Sequence, residues 1–157
     1  MQFKSSLIWI VLFAFACGGK LEKEEKLYPD GKVKIEKYYK IKGNSKLLQL
    51  EKRFYPNGAK EMEGEYKDGV RHGKWVFWYS TGQKWSEGLY KNGKREQEGV
   101  VWHPNGKIQV KGIYKDGLMM GEWLHYDSLG VEIKRLVFDE SGKLITNEDL
   151  NRPVPFR

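Results

Sequence analysis

The sequence has only one cysteine, so no disulfide can form within the chain. Its three histidines, His72, His103 and His125, are far apart and lack the spacing of paired metal ligands. No glycine-rich phosphate loop precedes a predicted helix, because the glycines fall in turn-like contexts. Carboxylates are plentiful but are spread along the chain. These absences argue against an enzyme, and we expect no catalytic residue, no bound metal and no cofactor.

Long apolar runs are also scarce, and the one that exists lies near the start of the chain. Leu7 to Ala16 is uncharged and mostly large and apolar, and a short polar segment with Lys4 precedes it. This run is too short for a helix to cross a hydrocarbon core of roughly 30 Å. A cationic start, an apolar stretch and then a small residue are typical of a secretory signal. Residues 1–16 are therefore predicted to be a signal peptide.

Cys17 follows this segment directly and precedes Gly18 and Gly19. The arrangement resembles a bacterial lipoprotein signal, which implies that Cys17 becomes the N-terminus and carries acyl chains such as palmitate. Each buried acyl CH₂ contributes about 0.8 kcal/mol, so two or three chains would hold the protein on the bacterial cell envelope. Under the same resemblance, Gly18 in place of an aspartate favours the outer membrane. The alternative is a plain signal peptide or a single anchoring helix, with Cys17 as a bystander.

Residues 17–27 are predicted to consist of the lipidated Cys17 and a charged tether that lifts the domain off the bilayer. The whole chain carries a net charge of +7 and has a pI of about 9.3. Positive charge suits an anionic membrane surface or an acidic partner. Lysine and glutamate are interleaved, however, which is typical of a solvated sheet face. We expect no nucleic-acid partner for an exported chain, despite the basic pI.

Glycine recurs with a period of 24 residues, which indicates an internal repeat. The three series are at positions 58, 82, 106 and 130, at 64, 88 and 112, and at 69, 93 and 117. Tyr66, Tyr90 and Tyr114 keep the same period. Three glycine series with one shared period are not a chance pattern, so the chain is built from repeated units of 24 residues.

Each unit contains two turns about twelve residues apart, such as Tyr55-Pro56-Asn57-Gly58 and Tyr66-Lys67-Asp68-Gly69. Asn-Gly and Asp-Gly readily take the positive φ that tight hairpin turns require. Short runs rich in aromatic residues and valine, such as residues 75–79, lie between the turns and predict strands. The fold class is therefore all-β, a single-layer antiparallel meander of about ten strands over residues 28–150. The tail, residues 151–157, contains two prolines and cannot extend the ladder.

Side chains alternate between the two faces of a strand, so Met62, Gly64 and Tyr66 share one face. The glycine before each tyrosine leaves a gap in which a neighbouring ring can lie against the backbone. By the same alternation, Trp85 and Glu87 are placed on the opposite, mostly polar face. The residues to which we assign a structural role in the repeat are Gly64, Tyr66, Gly69, Gly88, Tyr90, Gly93, Gly112, Tyr114 and Gly117.

The repeat motif is Glu-Gly-x-Tyr-x-x-Gly followed by His-Gly-x-Trp, and its clearest copies are residues 63–75 and, in part, 111–123. This motif resembles the MORN repeat, in the bacterial variant found in antitoxin-like and exported repeat proteins. The resemblance covers residues 55–142 well and 28–54 weakly. The middle copy departs from it, because Gln97 and Gly99 stand in the positions of Gly73 and Trp75. We expect the strand pairing to be distorted there.

Open repeat sheets act by contact, so the sequence favours a binding role. The candidate interaction surface is aromatic and consists of Trp75, Phe77, Trp78, Tyr79, Trp85, Trp102 and Trp123. The alternative is that these rings only cover an apolar sheet face. The predicted function is a protein-interaction module or scaffold in the envelope, with an unidentified protein partner. Two other functions stay open, namely a surface that binds phospholipid or polysaccharide, and an antitoxin or immunity role implied by the resemblance alone.

Overall fold

A computed structural model describes residues 11–13 and 21–150 of the chain. Twelve strands form one sheet in which each strand is antiparallel to the next along the chain. The strands are β1 Val11–Phe13, β2 Leu21–Leu27, β3 Val33–Lys42, β4 Ser45–Phe54, β5 Lys60–Lys67, β6 Val70–Trp78, β7 Lys84–Lys91, β8 Lys94–Trp102, β9 Ile108–Lys115, β10 Leu118–Tyr126, β11 Glu132–Phe138 and β12 Leu144–Asp149. The predicted all-β meander is confirmed. Within the described ranges, no helix is long and apolar enough to cross a membrane.

Two kinds of turn alternate along the sheet. In the two-residue turns after β5, β7 and β9 both central residues have positive φ, as in Asp68 (51°) and Gly69 (80°). Both angles belong to the type I′ hairpin turn, whose twist matches that of the flanking strands. In the wider turns only the glycine has positive φ. Gly58 is one such residue, with a φ of 87°, and its N–H donates to the Tyr55 carbonyl at 2.9 Å.

Three of the strands that follow two-residue turns, β6, β8 and β10, carry a two-residue bulge. In β6, Trp75 pairs with Gly64 and His72 pairs with Glu65, so that Gly73 and Lys74 are extra. Bulges of this kind bend the strand and increase its local twist. The same irregularity recurs in β8 and β10, which makes it a regular part of the repeat.

The middle repeat keeps this bulge, which differs from the distortion that the sequence predicted. Gly99 pairs with Gly88 as Trp75 pairs with Gly64 one repeat earlier. Gln97 takes a φ of 58°, close to the 63° of Gly73. The regular bulge in β8 therefore keeps Gln97 in the left-handed region of φ. This conformation has an energetic cost for a residue other than glycine.

The two faces of the sheet differ in character. We call the side that carries Tyr66, Tyr90 and Tyr114 the tyrosine face, and the other side, which carries Val76, Glu87 and Val100, the opposite face. Among residues 21–150, four apolar side chains are buried, namely Met62, Trp75, Val76 and Trp123. A single layer has no second layer to cover it, so most side chains on both faces stay partly exposed.

Trp85 lies on the tyrosine face and not, as strict alternation predicted, on the opposite face. Its ring meets the ring of Phe77 edge-on, with the centroids 6.0 Å apart. Phe77 pairs with Ser86, whereas Trp78 pairs with Lys84, so Trp85 is an extra residue at a bulge. A bulge breaks the alternation of faces, which a count of residues along the strand cannot detect.

The sheet begins earlier than predicted, because β2 occupies the last seven residues of the segment assigned to a tether. Lys23 in β2 forms ion pairs with Glu25 at 2.5 Å and with Glu36 at 2.7 Å. Burial alone would lower the pKa of Lys23, but the hydrogen bonds to these two carboxylates outweigh it and raise the pKa above its usual range. The charged residues of β2 therefore form a strand that is paired with β3, although their sequence is typical of a solvated linker.

Several predictions fall outside the described residues. Cys17 and residues 151–157 are among them, as is most of the predicted signal peptide. Of residues 1–16, only Val11–Phe13 are described, as the short strand β1, in which Leu12 pairs with Glu22. The signal peptide and the lipidation of Cys17 therefore stay predictions.

Candidate functional site

The tyrosine face is organised by contacts between tryptophan rings and glycines. A Cβ placed on Gly64 would come within 2.2 Å of Cδ2 of Trp75, and a Cβ on Gly112 would come equally close to Trp123. Each indole thus lies directly against a glycine backbone, as the gaps in the sequence pattern predicted. Tyr66 meets Trp75 edge-on at a centroid distance of 5.2 Å. This arrangement explains why Trp75 is only 1% exposed in a sheet of one layer.

In the middle repeat an arginine takes the place of the indole. Gly99 stands in the tryptophan position, and the guanidinium of Arg95 lies over the space that is left. Its Nη1 atom is 3.6 Å from the position of a Cβ on Gly88 and 3.5 Å from that of one on Gly99. The ring of Tyr114 also leans into this space, 2.9 Å from the same Cβ position on Gly99. In the middle repeat the guanidinium of Arg95 therefore lies at the place that the buried indoles of Trp75 and Trp123 take in the neighbouring repeats.

Glu51 occupies the tryptophan position of the first repeat. It pairs with Gly64 from the side opposite Trp75 and is only 2% exposed. Its carboxylate accepts a hydrogen bond from Nε of Arg53 at 2.7 Å and another from the hydroxyl of Tyr66 at 3.2 Å. These bonds compensate for the removal of a charge from water. Burial, and then the negative charge of Glu51, raise the pKa of Tyr66.

Two arginines stack on the aromatic rings of this face. The guanidinium carbon of Arg71 is 4.1 Å from the Trp75 ring centroid and 5.4 Å from that of Tyr90. The corresponding carbon of Arg95 is 5.6 Å from the centroid of Tyr90 and 5.0 Å from that of Tyr114. Each distance lies within the range of a cation–π contact. Cations and rings thus alternate across β6 to β9.

An exposed aromatic patch lies on the same face near the wider turns. We define the Trp85 patch as Phe77, Tyr79 and Trp85. The rings of Tyr79 and Trp85 are 6.4 Å apart between centroids, and Trp85 itself is 45% exposed. Exposed tryptophan and tyrosine rings are favoured contact residues in protein interfaces. This patch is the part of the predicted aromatic surface that a partner could reach.

The opposite face repeats a pair made of a lysine and a tryptophan. Nζ of Lys60 is 4.9 Å from the ring centroid of Trp78, and Nζ of Lys84 is 5.5 Å from that of Trp102. A shallow groove of about 290 Å³ runs beside Trp78 and Lys74. In both pairs the ammonium group of the lysine lies over the ring of the tryptophan.

The wider turns are joined from one repeat to the next by side-chain hydrogen bonds to backbone. The hydroxyl of Tyr55 donates to the Trp78 carbonyl, and the hydroxyl of Tyr79 donates to the Trp102 carbonyl, both at 2.8 Å. His103 replaces the tyrosine in the next turn, and its Nε2 is 2.9 Å from the Tyr126 carbonyl. His103 therefore fills a structural position of the repeat.

The seven aromatic residues of the predicted interaction surface do not form one surface. Trp75 and Trp123 are buried against glycines on the tyrosine face. The Trp85 patch keeps three of the seven together, while Trp78 and Trp102 lie on the opposite face beneath lysines. Glu51 was not predicted from the sequence as a site residue, although its place 24 residues before Trp75 puts a charge in a core position of the repeat. In the part of the chain that the structure describes, no three His, Cys, Asp or Glu side chains are grouped to hold a metal ion.

The regular repetition of these contacts agrees with a match between the chain and a known repeat family. The model of the MORN repeat variant matches four segments, residues 23–40, 50–68, 71–92 and 97–116, which together make up half of the chain. The chain belongs to the MORN repeat variant family. No curated protein matches it. The resemblance to the MORN repeat is confirmed, and the matched segments begin further towards the N-terminus than the clear motifs indicated.

The MORN segments correspond to hairpins of the sheet. The first matched segment includes most of β2 and ends within β3, which agrees with the early start of the sheet. The last one ends at residue 116, although β10, β11 and β12 continue the meander beyond it. MORN repeat sheets are typically binding modules, and this chain accordingly presents two broad faces, with an open groove beside Trp78 on one of them.

Proposed function

We propose that this MORN protein is a non-catalytic interaction module that binds a protein partner in the bacterial envelope, where lipidated Cys17 holds it on the outer membrane. The observation that carries the proposal is the Trp85 patch, in which the exposed ring of Trp85 lies beside the half-buried rings of Phe77 and Tyr79. Rigid aromatic side chains lose little conformational entropy on binding, and they dominate the energetics of protein interfaces. A partner that covers the tyrosine face would remove these rings from water.

The anchor part of the proposal rests on the sequence around Cys17 and on the net charge of +7, which suits an anionic membrane surface. Acylation would add a membrane affinity that the sheet itself need not supply. The Cys17→Ala variant should leave the membrane fraction after signal processing. If the processed variant stays with the membrane, the lipid anchor is excluded.

The interaction is tested by chemical crosslinking in intact cells, followed by capture of the full-length protein from the envelope. The Trp85→Ala variant should lose a crosslinked partner that the wild-type protein retains, because it removes the most exposed ring of the patch. Ile113→Ala is the matched control, since Ile113 is also apolar and 55% exposed but lies on the opposite face. Equal crosslinking by both variants would rule out the Trp85 patch as the interface. Failure of the wild-type protein to crosslink to any partner would rule out the function itself.

A further inference from the structure

Arg71 and Arg95 are equivalent residues of two successive repeats, and both flank the ring of Tyr90. The distance between the two guanidinium carbons therefore cannot exceed the sum of their distances to the centroid of the Tyr90 ring. Arg71 is exposed and reaches the hydroxyl of Tyr90 with Nη1 at 3.3 Å, while Arg95 is half-buried. Equivalent residues of neighbouring hairpins are two strands apart, which corresponds to about 9.6 Å.

Neither arginine is paired with a carboxylate of the described residues. By contrast, Arg53 pairs with Glu51 at 2.7 Å, and Arg135 pairs with Glu132 at 3.0 Å. The paired acids of the central repeats lie on the opposite face, where Glu87 pairs with both Lys74 and Lys84. The tyrosine face over β6 to β9 is thus a region of unneutralised positive charge with aromatic walls.

Stacking leaves hydrogen-bonding groups of a guanidinium free, although Nη1 of Arg71 also donates to the Tyr90 hydroxyl. A ring that covers the flat side fixes the plane of the group, and its N–H donors then point along that plane. A carboxylate accepts two parallel N–H bonds from such an edge and is held in a defined orientation. Because the rings already fix both side chains, binding would cost less side-chain entropy than binding to flexible surface lysines.

We propose that Arg71 and Arg95 bind two carboxylates of a single extended acidic segment in the protein partner. The inference rests on the proposed function and specifies the chemistry of the partner. In a polyproline II segment, residues i and i+3 lie on the same side of the chain and about 9.3 Å apart, which matches the spacing of two hairpins. Two acidic residues three positions apart are therefore the pattern that this face recognises.

A binding experiment with defined peptides tests this match. The probe is a six-residue peptide, Pro-Glu-Pro-Pro-Glu-Pro, with blocked ends, and the two controls carry either two glutamines or two adjacent glutamates. The full-length protein, in a neutral detergent, is titrated with each peptide while the arginine Nε–H signals are followed by NMR. The probe should shift the signals of Arg71 and Arg95, and each control peptide should bind at least threefold more weakly.

Variants of the protein separate recognition from net charge. Arg71→Gln should weaken binding of the probe at least threefold, and Arg71→Lys should weaken it too, because lysine keeps the charge but cannot form the bidentate bond. Arg135→Gln removes the same charge from an arginine that is already paired, and it should leave binding unchanged. Arg71 is exposed, so its replacement should leave the sheet folded, and a single cooperative thermal unfolding transition checks this in each variant.

Three results would overturn the inference. They are equal binding of all three peptides, an equal loss of binding in Arg71→Gln and Arg135→Gln, and a response of Arg71 to phosphatidylglycerol vesicles but not to the probe. The last result would mean that the face contacts lipid. If the Arg71→Gln/Arg95→Gln protein still crosslinks to the wild-type partner in cells, the inference fails and the proposed function survives. Absence of any partner in the wild-type protein would count against the function instead.

Discussion

Trp75 lies against the backbone of Gly64 so closely that a single added carbon on that glycine would be 2.2 Å from the indole. The contact joins β5 to β6, and Trp123 repeats it on Gly112 two repeats later. Between them, Gly88 has the same place in the repeat, but the atom nearest to a Cβ placed on it is Nη1 of Arg95, at 3.6 Å. Three equivalent glycines therefore differ in what lies above them, and this difference can be measured.

Gly64→Ala should destabilise the protein by about 2–3 kcal/mol, because the buried indole cannot move away without losing its own contacts. The measurement is the free energy of unfolding from urea denaturation. Gly88→Ala is the matched control, and it should cost less than about 1 kcal/mol, since Arg95 is a flexible side chain that can shift. Equal losses in the two variants would show that the tryptophan–glycine contact is not what excludes a side chain there.

Gln97→Gly should stabilise the protein by about 0.5–1 kcal/mol, because Gln97 is held at a φ of 58° in a bulge where glycine would be unstrained. Gly121→Gln is the reverse change at the equivalent position of the next repeat. There the φ is 59° and nothing lies within 4 Å of the added Cβ, so the loss should come from backbone strain alone. A loss of stability in Gln97→Gly would contradict the prediction.

Glu51→Gln should destabilise the protein by about 1 kcal/mol, because it weakens the hydrogen bonds to Arg53 and Tyr66 without changing the volume. The expected loss of stability is small because Arg53 is half exposed to water. The same variant should lower the pKa of Tyr66, since the negative charge that helps to raise it is removed. Alkaline titration of tyrosinate absorbance measures this effect. An unchanged titration would show that the carboxylate does not act on Tyr66.

Acidification should destabilise the sheet near β10 through His125. Burial, and then the neighbouring Lys134, lower the pKa of His125 below its usual range, and Nε2 is buried without a hydrogen-bond partner. The unfolded chain therefore binds a proton more readily than the folded one, so the free energy of unfolding should fall as the pH drops through and below the usual histidine range.

The comparison that isolates this effect is His125→Phe, which introduces the residue of the equivalent position 77. The urea midpoint of the wild-type protein should be lower at pH 5.5 than at pH 7.5, and the difference should be smaller in the variant. If both proteins respond equally to pH, the titrating group lies elsewhere.

The sequence by itself determined the repeat, the turns and the strands. Asn-Gly and Asp-Gly at fixed spacing leave few alternatives to hairpins, because their positive φ is a local property of the residue types. The glycine gaps beneath Trp75 and Trp123 followed from the same spacing, since residues two apart share a face. Local conformation and alternation require no knowledge of distant contacts.

Only the tertiary structure decided which aromatic rings are accessible. The bulge at Trp85 moves its ring to the tyrosine face, and the strand pairing places Arg95 where the middle repeat lacks an indole. The pairing of Lys23 across β2 and β3 likewise turns an apparent linker into a strand. Each outcome depends on register between strands and on the space left by neighbouring side chains, which are properties of the folded sheet and not of any single segment.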